Sequence, residues 1–247
     1  MAQRLALCLG LIIALSLAPA AWAQQINIDL GSEGSLTLRT VQLFLLITIL
    51  SLAPGLAIMV TCFPFMVTVL SILRTAIGVQ QAPPNMMIVS LALFLTWFVM
   101  EPVFRESWEV GIRPLLDGAA DPQAAFTAGI APFRDFMATR VDPDTLAALV
   151  QAAPPRADPL PENMADTQLS VLIPSFLLSE IQRGFEVGFL VFLPFLIIDL
   201  VIAAILMSMG MMMVPPAVVS LPFKLAFFVL ADGWTLLAGA MLRGYGT

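Results

Sequence analysis

The chain has 247 residues, of which 60% are hydrophobic and only 11% charged, with a mean hydropathy of +0.95. Soluble domains carry roughly a quarter charged residues, so this composition excludes an ordinary soluble domain and indicates a membrane protein. A net charge of −6, a lone lysine and no basic cluster exclude nucleic acid as a partner, and the absence of histidine removes the commonest general base and zinc ligand.

Residues 1–23 read as a cleavable signal peptide. Arg4 supplies the positive region, Leu5 to Leu17 the short apolar core, and Ala21-Trp22-Ala23 the small–x–small cleavage pattern. Cleavage leaves Gln24 outside the cytoplasm and removes Cys8. Cys62 then stands alone in an apolar run as a small buried hydrophobe, and no intramolecular disulfide forms. A polar lead occupies residues 24–40. Residues 41–104 hold the first apolar helices. Val41 to Leu73 is longer than the ~20 residues a span requires, and Pro54-Gly55 and Pro64 interrupt it, which fits either a kinked helix or two short ones. Arg74 to Pro84 is a connector, and Asn85 to Phe104 is the next helix, ending near Glu101-Pro102.

The character changes over residues 105–170, which hold ten of the seventeen acidic residues, five arginines and eight prolines. Phe126 to Ala138 and Asp144 to Ala152 have helical spacing, and Ala153 to Pro161 reads as a linker. The expectation is a small acidic helical region outside the membrane, with no specific chemistry. Residues 171–247 return to the apolar pattern with charges embedded in it. A cleaved signal places Arg39, Arg105, Arg113 and Arg243 on the outer side, against the positive-inside bias, so some of these helices are not expected to span lipid in the ordinary way.

Ionisable residues within apolar segments are expensive and mark pairing sites or pathways. Asp199 and Lys224 are equidistant in sequence from a point between Met211 and Met212. In an antiparallel helical hairpin both lie at similar depth, at most ~19 Å from its apex. The expectation is a buried pair, within the chain or to a neighbouring copy, with proton relay as the sharper reading. Glu180, Arg183 and Glu186 fall at i, i+3 and i+6, so Arg183 can reach both carboxylates along one face. Asp232 and Asp199 both lie in apolar segments, but neither carries the Gly-x-Gly-Asp context of an intramembrane aspartyl protease. No catalytic group and no cofactor are expected.

The apex carries Met207, Met209, Met211, Met212 and Met213, with Gly210 among them and Pro215-Pro216 closing the turn. Three readings stand at this point: a deformable seal, ordinary core packing in a kinked helix, and thioether ligation of Cu(I), which no cysteine or histidine supports.

The stretches around Asp199-Leu200, MGMMMVPP at 209–216, LPFKL at 221–225 and DGW at 232–234 resemble the FliP family of flagellar biosynthetic proteins, as do PSFLLSEIQRGF at 174–185 and ILRTAIGVQQAPPN at 72–85. The resemblance covers most of the chain from residue 41 onward and is weakest over 105–170. It implies an all-α membrane protein of kinked helical hairpins assembling into a pentameric ring with FliQ-like and FliR-like subunits. This ring is the core of an export gate in the inner membrane at the flagellar basal body. It also implies FlhA-like and FlhB-like export proteins as partners, unfolded flagellar subunits as cargo, and no enzymatic site. The family's methionine gasket falls by motif on Met211, Met212 and Met213, with Met209 at its edge. The alternative class is a small-solute or ion carrier built on the buried charge pair.

Overall fold

The computed structural model describes residues 33–79, 83–152 and 164–245. The expected signal peptide, most of the polar lead and the expected linker at 153–161 lie outside the described residues. Two compact units divide the chain, one up to Ser51 and one from Leu52 onward. No strand occurs among the described residues.

Helix α1 (Glu33–Met59) begins in the first unit and ends in the second, and its apolar residues from Val41 on include the exposed Phe44, Ile49 and Leu50. Two of its hydroxyls are satisfied within the helix, Thr48 Oγ1 donating to Phe44 O at 2.8 Å and Ser51 Oγ to Ile47 O at 2.7 Å. Such internal satisfaction is what a segment in hydrocarbon requires. The chain breaks at residues 60–62, where Pro64 cannot donate to an incoming helix, and resumes as α2 (Phe63–Ile77). Of the two readings of 41–73, separate helices are the observed one, and α2 runs four residues into the expected connector.

The second unit is built on α2. Helix α3 (Asn85–Ser107) continues through Pro102, with Val103 and Phe104 beyond it packed against the core, and the expected end near Glu101 is corrected to Ser107. A π-helical turn (Trp108–Ile112) and the short α4 (Arg113–Leu116) follow. Then come α5 (Pro122–Arg140), six residues longer than its periodic core, and α6 (Pro143–Ala152), one residue longer. The 40-residue α7 (Leu169–Ser208) is about 60 Å long, twice the ~30 Å of a bilayer core, so it cannot lie wholly in hydrocarbon without steep tilt. Helices α8 (Pro216–Leu230) and α9 (Gly233–Arg243) complete the chain, bent by 61° at a break where Asp232 adopts φ +49°. The end of the apolar stretch 171–247 is thus two helices. Helix α1, the stretch 85–116, α7 and the bent pair are long and apolar enough to cross a membrane.

The main core gathers Phe65, Met66, Val69 and Leu73 of α2 with Ala92 and Leu95 of α3, Phe195 of α7, Phe228 of α8 and Met241 of α9. Along the α2–α7 contact, Gly188 admits Ile72, whose Cδ1 lies 2.3 Å from where a Cβ would stand. A second core joins Met137, Val141 and Leu146 to Val171, Leu172 and Phe176 of α7. The acidic stretch is therefore not a domain apart. Its short helices cannot bury an apolar stripe alone, and they share one core with the start of α7. Arg134 reinforces the junction, donating to the carbonyls of Ala165 and Thr167 at 2.9 and 3.0 Å.

Two predictions follow from this packing. A Cβ on Gly111 would lie 2.6 Å from Gly129 Cα, which is backbone and cannot rotate away, whereas a Cβ on Gly129 meets nothing closer than 3.5 Å. Gly111→Ala is expected to lower stability by about 1–3 kcal/mol and Gly129→Ala to be near neutral, measured by thermal unfolding in detergent. Burial pushes the Cys62 thiol up to about 12. Since the thiolate is the nucleophile, Cys62 of a C8S chain should resist maleimide at pH 7–9 until the protein is denatured.

Candidate functional site

The apex is made by a helix end that its sequence specifies closely. Helix α7 stops at Ser208. Gly210 takes φ +74°, a left-handed conformation that costs glycine little, and two hydrogen bonds close the end: Met211 N–H to Leu206 O at 2.9 Å and Gly210 N–H to Met207 O at 3.0 Å. This pair of bonds is the Schellman motif, in which the residue after the glycine packs back on the last turn. Leu206 is accordingly buried and Met211 the least exposed of the five methionines. Pro215 precedes α8 and Pro216 occupies its first turn, where a missing N–H costs nothing. Held on this turn, Met207, Met209 and Met212 project outward, and Met213 is 97% exposed.

Below the apex the hairpin brings Asp199 and Lys224 together. Lys224 Nζ lies 2.6 Å from Asp199 Oδ2 and donates at 3.0 Å to the carbonyl of Ala76, in the last turn of α2. Ser220, one turn before Lys224, donates to Asp199 Oδ1 at 2.5 Å. Lys224 is 5% exposed and Ser220 fully buried. The ammonium also meets the negative end of the α2 dipole, a further favourable term.

Of the other charged residues, Glu180 is fully buried and pairs with Arg183 at 3.6 Å and with Arg140 of α5 at 3.3 Å. Glu186 is exposed and accepts from Gln182 at 3.1 Å, so the expected three-residue stripe ends at Arg183. Asp232 is exposed at the α8–α9 bend and accepts from Thr235 at 3.1 Å, so neither Glu186 nor Asp232 is buried within the single chain. Ser220 and Ala76 are partners that sequence reasoning missed. Ser220 was detectable as the residue four before Lys224 on the same helix face. A backbone carbonyl leaves no signal in a sequence. Among the described residues no group of three metal-ligating carboxylates, cysteines or histidines occurs.

Apolar helices of spanning length, internally paired charges and a methionine turn held outside the core define an all-α, multi-pass membrane protein. The sequence model of the FliP family matches residues 46–241. The flagellar biosynthetic protein FliP of Caulobacter vibrioides is 53% identical over 94% of this chain and 87% of its own length. That of Agrobacterium fabrum is 45% identical over 94% of this chain and 96% of its own. The protein of the same name from Bacillus subtilis is 43% identical over 89% and 98%, respectively. The chain belongs to the FliP family.

The pair geometry carries a prediction. D199K and K224D should each destabilise the hairpin, toward the lower end of the about 3–5 kcal/mol typical of a broken buried pair, because the Asp199 side chain is one-third exposed. The double swap should restore only part of the loss, because a carboxylate at position 224 would face the Ala76 carbonyl. Thermal unfolding of the four proteins in one detergent measures this.

Proposed function

We propose that residues 209–213 form the closure of a protein-conducting gate, with several copies of the chain presenting their apices to a common axis. Family membership makes the chain a component of the flagellar export apparatus, a multi-pass protein of the inner membrane at the basal body, and not an enzyme. The pore, the ring and the gasket are our reading beyond that.

The observation that carries it is the near-complete exposure of Met212 and Met213 on a turn whose own backbone is fixed by Gly210 and the two prolines. Exposed apolar side chains at a loop tip are unfavourable in water, so they imply a covering surface. Methionine has three side-chain torsions and no branch, so a ring of it can close on itself and repack around chains of varied sequence. A turn with a fixed backbone and soft side chains suits a seal that must reopen and close. The arrangement favours this over a solute carrier, because Asp199 and Lys224 are held by each other, Ser220 and Ala76. A pentamer with FliQ-like and FliR-like subunits, working with FlhA-like and FlhB-like proteins on unfolded flagellar subunits, is the assembly in which this gate would act.

Replacing Met211, Met212 and Met213 together by alanine is expected to raise resting ion leak across the membrane several-fold while leaving assembly intact. Conductance of cells or proteoliposomes carrying the complex measures it, and an unchanged leak would count against the seal.

A further inference from the structure

Glu180 is met from three separate elements. Arg140 Nε of α5 lies 3.3 Å from its carboxylate and Arg183 Nη1, one turn along α7, lies 3.6 Å away. The hydroxyl of Tyr245, two residues past α9, donates to the same carboxylate. Arg140 also turns back on that segment. Its Nη1 donates to the carbonyl of Gly244 at 2.8 Å, and its guanidinium lies 4.0 Å from the centre of the Tyr245 ring. The ring itself meets Phe65 of α2 edge-on at 5.4 Å and stacks on Phe136 of α5 at 6.3 Å.

A segment leaving the last helix normally frays at almost no cost. Here it is gripped by α2, α5 and α7 together, through a charge-assisted hydrogen bond, a cation–π contact and two ring contacts. At the other end of the same arm, Lys224 is held by Asp199 and Ala76. Between these anchors lie the 61° bend and the positive φ of Asp232. An arm anchored at both ends cannot straighten without releasing one of them.

We infer that Gly244–Tyr245 is a clasp: closed on Arg140 and Glu180, it locks the end of α9 to the body of the molecule and so keeps the α8–α9 arm bent. The export reading does not require it, and its test does not depend on export. Tyr245 is the single tyrosine of the chain, so 3-fluorotyrosine incorporated throughout reports on this site alone. In the full chain in lipid nanodiscs, its fluorine resonance should show a solvent isotope shift well below that of the denatured chain, as a part-buried ring requires. Tyr245→Phe keeps every ring contact and removes only the hydroxyl. It should speed amide hydrogen exchange over residues 237–245 by about tenfold or more, the factor one hydrogen bond to a charged group supplies, with exchange over 63–77 unchanged. Arg140→Lys keeps the charge but lacks the planar fork that spans Glu180 and Gly244, and should loosen the same residues. Wild-type exchange over 237–245 in Tyr245→Phe, or a solvent-exposed fluorine resonance in the otherwise unaltered chain, would overturn the clasp.

Discussion

The ammonium of Lys224, the one lysine of the chain, lies between the carboxylate of Asp199 and the last-turn carbonyl of Ala76, with 5% of the residue exposed. Taking an unpaired ammonium out of water costs several kcal/mol, and in a structure built almost wholly of apolar helices few groups can offset it. Helices α2, α7 and α8 therefore have to meet at that point. Once they do, the depth of the hairpin and the register of its two arms follow, because Asp199 and Lys224 must stand level. The same constraint acts at Glu180, where Arg140 and Arg183 supply the compensation and α5 is drawn onto α7.

Using the charges in this way leaves the apex free of them. Between Ser208 and Pro216 the chain holds only methionines, Gly210, Val214 and Pro215. Its two ends are closed locally, by a Schellman motif on one side and a proline start on the other. The turn is rigid in its backbone and soft in its side chains. That division suits the closure proposed above. The 40-residue α7 links this turn to the core near residue 172 that it shares with the acidic helical region.

Much of the site was legible in the chain itself. The symmetric placement of Asp199 and Lys224 about the methionine run, the glycine that ends α7 and the two prolines that open α8 are local features with local causes. The break at residues 60–62 was legible only as one of two alternatives, because Pro64 is equally compatible with a kink and with a new helix. Pro102 misled: it signals a helix end, but apolar context carried α3 onward to a π-turn at Trp108. The acidic stretch misled as well, because composition records its charge and hides the apolar stripe of Met137, Val141 and Leu146.

By itself the sequence determined the class, the helical hairpin, the position of its turn and the identity of the ion pair across it, since each depends on residues close in sequence or symmetric about a turn. Only the tertiary structure decided that Arg140, Glu180 and Tyr245 would meet, that Ala76 would complete the coordination of Lys224, and that Asp232 and Glu186 would stay outside the buried pairs. These contacts join elements up to 148 residues apart. They depend on how helices cross in three dimensions, and no periodicity along one chain encodes a crossing.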